Sequence, residues 1–132
     1  MRKLTKNRKV TKFSELENKV AALWMRAATK RQEDKNHSFE TQERICKEYA
    51  ANHGITIKKQ YRGTKMEELH RKIAEVVADR EINAILVSSF DRLSRTANEV
   101  IMTIAYLKSK GVYIISATQP TDQDSPLINE FI

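Results

Sequence analysis

The sequence predicts an α/β fold: a three-layer domain with a central, mainly parallel sheet of four to five strands and helices on both faces. Three observations carry this. Short apolar runs alternate with longer stretches whose apolar residues recur at helical spacing. Two of the helical stretches open on capping residues, Ser38 and Thr96, and two close on glycines, Gly54 and Gly111. Strands alternating with helices of this length imply βαβ units, which pair their strands in parallel.

The elements follow in order. Residues 1–18 are polar and basic (Arg2, Lys3, Lys6, Arg8, Lys9 and Lys12), with a short helix suggested near Phe13–Glu17. This arm is either a solvated tail or a segment that tracks a phosphate backbone. Val20–Met25 suits a buried strand. After Ser38, the residues Phe39, Gln42, Cys46, Tyr49 and Ala50 keep helical spacing up to Gly54. Ile55–Tyr61 alternates as a strand, placing Ile55, Ile57 and Tyr61 on one side. Glu67–Glu81 reads as one helix with Leu69, Ile73, Val76 and Val77 on its apolar face. Ala84–Val87 is a third strand. Thr96-Ala97-Asn98-Glu99 has the capping-box pattern and opens a helix whose face is Val100, Ile101, Ile104 and Leu107. Val112–Ile115 is the fourth strand, and Leu127–Ile132 begins a further helix.

Composition bounds the function. With 132 residues the chain has one domain's worth of core. No apolar run reaches membrane-spanning length, so no membrane partner is expected. A single cysteine, Cys46, rules out an intrachain disulfide framework and fits a reducing, cytoplasmic setting. The formal charge of +7, from 24 Lys+Arg against 17 Asp+Glu, biases the chain toward a polyanionic partner.

Ligands of open parallel sheets gather beyond the carboxyl ends of the strands. Two such loops carry unusual polar residues here: Arg26-Ala27-Ala28-Thr29-Lys30-Arg31-Gln32 after the first strand, and Asp91-Arg92-Leu93-Ser94-Arg95 after the third. Both project at one sheet edge, so Arg26 can meet Arg92 and Arg95. Converging guanidinium groups repel one another unless an anion lies between them. A phosphodiester fits, because guanidinium forks bind phosphate oxygens bidentately at any working pH. An Asp-Arg pair before a helix is often only a surface salt bridge; the two loops together outweigh that reading.

These strings resemble a known family. Leu23-Trp24-Met25-Arg26-Ala27-Ala28-Thr29-Lys30-Arg31-Gln32 is similar to the Tyr-x-Arg-Val-Ser-Thr-x-x-Gln opening of the serine recombinases, the resolvase/invertase family. Ser38-Phe39-Glu40-Thr41-Gln42 resembles the Ser-Leu-x-x-Gln that begins the family's first helix. Phe90-Asp91-Arg92-Leu93-Ser94-Arg95 resembles its signature Leu-Asp-Arg-Leu-x-Arg. The likeness runs from about Lys19 to the end of the chain. It implies the N-terminal catalytic domain of a site-specific DNA recombinase, with a resolvase-like fold over residues 19–132. In that family a serine hydroxyl attacks a DNA phosphate, leaving a 5′-phosphoserine bond, and subunits of a tetramer exchange and rejoin strands without a metal or other cofactor. Carried over, Arg26, Arg92 and Arg95 bind phosphate, Asp91 orients them, and Gln32 and Gln42 support the site. The implied partners are DNA and further copies of the chain. The full-length family forms homodimers or tetramers; this chain, ending at the start of the long dimerisation helix and holding no DNA-binding domain, is expected to be weakly dimeric or monomeric.

The chain departs from the pattern at two places. The nucleophile's position holds Ala28, whose methyl group cannot attack phosphorus. The family's Ser-Gly-x-x-x-x-Arg-Pro segment reads Arg62-Gly63-Thr64-Lys65-Met66-Glu67-Glu68-Leu69, without the arginine or proline. Arg62 and Arg71 are the nearby arginines, neither at the family's spacing. With Trp24 for tyrosine and Ala27 for valine, this looks like natural drift after loss of activity.

Other constellations carry less. Cys46 and His53 lack further metal ligands, and Cys46 is expected in the core. His37 and His70 are expected to be exposed. Ser88 and Ser89 are expected to be small packing residues with one hydroxyl satisfied locally. There is no Gly-rich phosphate loop. Two further functions compete with a recombinase domain that has lost cleavage. One is a regulator that binds DNA or pairs with an active recombinase. The other is an unrelated small α/β phosphoryl-transfer enzyme, which needs a nucleophile or metal that the sequence does not offer.

Overall fold

In a computed structural model that describes residues 13–27, 38–94 and 96–118, the four apolar runs are four strands. These are β1 (Lys19–Arg26), β2 (Ile55–Gly63), β3 (Ala84–Val87) and β4 (Tyr113–Ser116). They pair in the order β2-β1-β3-β4, every pair parallel. The helices are α1 (Phe39–His53), α2 (Met66–His70), α3 (Ile73–Ala78) and α4 (Ala97–Ser109). A 3-10 turn at Phe13–Glu15 stands where a short helix is expected. The suggested helix at Leu127–Ile132 and the basic residues before Phe13 lie outside the described residues.

Each helix end has a chemical cause. The Thr41 amide donates to Ser38 Oγ at the start of α1, and the Glu99 amide donates to Thr96 Oγ1 at the start of α4. Gly54 ends α1 at φ 69°, in the left-handed region where a side chain is strained.

Strand β1 is buried on both faces, as a central parallel strand must be. Ala22 and Trp24 pack with Leu69 of α2, Val76 of α3 and Ile104 and Leu107 of α4. Ala21, Leu23 and Met25 pack with Cys46 and Ala50 of α1 and with Phe13. Helices therefore cover both faces, giving the three expected layers. Cys46 is fully buried, as expected.

Two elements differ from their sequence pattern. Tyr61 does not share a side with Ile55 and Ile57: they face α1, whereas Tyr61 packs on the opposite face, edge-on to Trp24. The cause is a bulge. Ala21 pairs with Ile57 but Ala22 pairs with Lys59, so Lys58 is passed over and the alternation of β2 inverts beyond it. The bulged Lys58 reaches Asp79 (2.8 Å) and Glu81 (2.6 Å) beyond α3, which raises its ammonium above the ordinary range.

The stretch expected as one helix over Glu67–Glu81 is two, α2 and α3. The chain turns at Arg71–Lys72, where the Lys72 amide donates back to Leu69 O at 2.8 Å instead of to residue 68. Leu69 and Val76 are both buried, one on each side of the turn. Before α2, Gly63 admits no side chain without crowding: a Cβ there would lie 3.1 Å from Glu68 Oε1 and 3.2 Å from Leu69 Cγ. Glu68 accepts hydrogen bonds from the Thr64 and Lys65 amides, which hold its carboxyl below the usual range.

Candidate functional site

The carboxyl end of β1 is held by two side chains from different elements. Gln42, on the first turns of α1 and only 1% exposed, pairs with both sides of Arg26: Arg26 N donates to Oε1 (3.1 Å), and Nε2 donates to Arg26 O (2.8 Å). In effect the carboxamide continues the strand as a partner backbone would. The same carbonyl oxygen also accepts Arg92 Nη1 at 2.8 Å, so both of its lone pairs are engaged.

Arg92 lies in the 3-10 turn Phe90–Arg92 that follows β3 and is 7% exposed. Its Nε and Nη2 donate to the two oxygens of Asp91, at 3.3 and 3.1 Å. Ser89 Oγ also donates to Asp91 Oδ1, the local satisfaction expected of one of the two serines. Arg26 closes the circuit: its Nη2 donates to the Asp91 carbonyl oxygen at 3.2 Å. Arg26 and Arg92 therefore meet at one sheet edge, as their loops imply. Protein oxygens engage each guanidinium: the Asp91 carboxylate and the Arg26 carbonyl on Arg92, and the Asp91 carbonyl on Arg26. Ala28, Gln32 and Arg95 lie outside the described residues, as does His37.

The two remaining arginines of interest lie to either side. Arg62, one residue before the end of β2, pairs with Glu43 at 2.8 Å, with its guanidinium carbon 5.3 Å from the centroid of the Phe39 ring. Arg71 lines a cleft of about 430 Å³ with Met66, Glu67, His70 and Glu99.

His70 corrects the sequence reading. It is half-buried rather than exposed, with Nε2 at 3.0 Å from the Leu93 carbonyl oxygen and its ring 6.3 Å from that of Trp24. Nothing in the local pattern signals this, since Leu93 is 23 residues away. Gln42 was legible as a residue of the site, but its grip on the Arg26 backbone was not.

Among the described residues, no group of three or more His, Cys, Asp and Glu side chains is arranged to hold a metal ion. Nor is any helix among them long and apolar enough to cross a membrane. At the described edge, Arg26 and Arg92 are held in place by backbone carbonyl oxygens and by the Asp91 carboxylate.

Comparison with known proteins agrees with this architecture. Residues 21–132 match the family model described as "Resolvase, N terminal domain". No curated protein sequence matches. The fold is similar to the N-terminal catalytic domain of TP901-1 integrase, at 21% identity and TM-score 0.71, covering 86% of this chain and 88% of that one. It is also similar to a resolvase family site-specific recombinase from Streptococcus pneumoniae, at 19% identity and TM-score 0.73, covering 86% and 83%. The C-terminal catalytic domain of ISC1926 TnpA, an IS607-like serine recombinase, is similar at 19% identity and TM-score 0.62, covering 76% and 70%.

Proposed function

This chain belongs to the resolvase N-terminal domain family, and on that premise we propose that it is a recombinase-type domain that holds DNA phosphate at Arg26 and Arg92 without cleaving it. The observation that carries the reading is the junction of Arg26 with Arg92. Arg92 Nη1 donates to the Arg26 carbonyl and Arg26 Nη2 to the Asp91 carbonyl, and in the sequence Ala28 follows Arg26 by two residues, at the position of the family's nucleophile.

The roles divide by geometry. Arg92 has three hydrogen bonds to protein, two to the Asp91 carboxylate and one to the Arg26 carbonyl. It fixes the site and presents its remaining N–H groups to the anion. Arg26 is the more exposed of the two and faces the DNA. Asp91 orients the Arg92 fork, and Gln42 fixes the backbone from which Arg26 projects. Arg95 joins the phosphate cluster, and Gln32 supports it. In the family's reaction such arginines stabilise charge developing on the phosphate, which is where most phosphoryl-transfer catalysis lies. With alanine at position 28 that stabilisation has no attack to accelerate.

DNA is the partner on this reading and the bacterial cytoplasm the setting.

Two measurements test the reading. Binding to duplex DNA should weaken with salt, each engaged phosphate contributing about −0.9 to the slope of log K against log salt. Arg26→Gln should make that slope shallower by about 1. Absence of binding at low salt would sink the phosphate assignment. Incubation with plasmid carrying a recombination site should give no covalent protein–DNA adduct, and any adduct would overturn the loss of cleavage.

A further inference from the structure

We propose that His70 is a positioning residue for the arginine site, its Nε2–H fixing the Leu93 carbonyl and so seating the Asp91–Ser94 loop against β1. The inference rests on reading Arg26 and Arg92 as a phosphate site, and it adds a residue from α2 that contributes no ligand of its own.

The loop's backbone bonds are local. Arg92 N donates to Ser89 O, and Leu93 N and Ser94 N both donate to Phe90 O. These set the shape of the turn but not its place on the sheet. Placement comes from contacts across the chain: burial of Leu93 in the core with Trp24 and Leu69, and hydrogen bonds to Arg26 at the end of β1 and to His70 at the end of α2. Leu93 immediately follows Arg92, so a bond at its carbonyl anchors the backbone next to the guanidinium-bearing residue.

The chemistry of the contact is directional. A carbonyl oxygen only accepts, so the His70 nitrogen 3.0 Å from it carries the hydrogen. Ser94 Oγ, 3.4 Å from the same nitrogen, adds a second oxygen to that side of the ring. The ring is in turn set against Trp24, 6.3 Å away and tilted by 49°. Trp24 is fully buried and lies two residues before Arg26 on β1. His70 thus spans from the strand that carries Arg26 to the loop that carries Arg92. An arginine site needs both forks in register with one phosphate, and a loop displaced by even an ångström loses that register.

The test uses the whole chain and two substitutions. His70→Leu keeps apolar bulk near Trp24 but has no donor, whereas His70→Gln retains an N–H at similar reach. Hydrogen exchange of the Arg92 Nε–H, followed by NMR, reports seating of the loop without DNA. It should quicken by about three- to tenfold in H70L, the effect of one hydrogen bond, and return toward wild type in H70Q. Core amides such as those of Leu23 and Ile85 should keep their wild-type rates. Duplex affinity should fall by a similar factor in H70L and recover in H70Q. An unchanged Arg92 signal in H70L overturns the proposal. So does acceleration shared equally by the core amides, which would mean general destabilisation, and so does failure of H70Q to rescue. If H70L does not fold, His70→Phe serves as the donor-free variant, read the same way. A wild-type chain that binds no duplex overturns the phosphate reading alone, and the exchange rates still decide the role of His70.

Discussion

Arg92 Nη1 lies 2.8 Å from the carbonyl oxygen of Arg26, joining the loop after β3 to the last residue of β1. Gln42 Nε2 reaches the same oxygen at 2.8 Å from α1. Three segments far apart in sequence thus converge on one backbone atom, two residues before Ala28.

That shared acceptor predicts a non-additive pair. Gln42→Leu should cost about 1–3 kcal/mol in urea unfolding, because the Arg26 amide and carbonyl each lose a buried partner. Arg92→Met should cost a similar amount. The double variant should cost more than the sum, by about 1 kcal/mol, since only then does the carbonyl lose both donors. Strict additivity would mean that the two donors do not share the load at this atom.

Restoring the hydroxyl should not restore cleavage. Ala28→Ser supplies a nucleophile, but the arginine of the family segment, absent as if deleted between Glu67 and Glu68, is still missing. In its place Glu68 caps the Thr64 and Lys65 amides. The outcome to look for is continued absence of a phosphoserine adduct on denaturing gels. Adduct formation by the single variant would show that Arg26 and Arg92, with their neighbours, are sufficient.

Burial pushes the Cys46 thiol up to about 12. The thiolate is the reactive form, so native protein at pH 8 should resist iodoacetamide for hours and react readily once unfolded. Rapid labelling of the folded chain, seen by mass spectrometry, would contradict the burial of Cys46 between α1 and β1.

Tyr61 is pushed up to about 12 by burial, aided by its hydroxyl donating to Glu75 Oε1 at 3.1 Å. Its folded value is above the ordinary 10.0, so the folded state favours the neutral phenol. The corresponding stability is complete below pH 10 and is lost as pH rises through 12. Phenolate absorbance should show Tyr61→Phe removing a late-titrating component. Alkaline unfolding of the variant should lose part of its dependence across that window. A variant that removes a group titrating near pH 10 instead would place Tyr61 in solvent.

Sequence alone determined the order of strands and helices, the caps at Ser38 and Thr96, the left-handed glycine at Gly54, and the two loops that bring Arg26 and Arg92 together. These follow from local periodicity, from side-chain oxygens that satisfy helix N–H groups, and from the rule that parallel strands present their carboxyl ends at one edge. Tertiary structure decided what depends on partners distant in the chain. The bulge at Lys58 turned Tyr61 to the other face, because strand pairing with β1 sets register and no single segment contains it. The break at Arg71–Lys72 likewise lies between two buried residues, Leu69 and Val76, that the apolar pattern reads as one continuous face. Gln42 and His70 acquired their roles from backbone carbonyls 16 and 23 residues away. Hydrogen bonds to a distant backbone leave no trace in local pattern, since any residue's carbonyl can accept them.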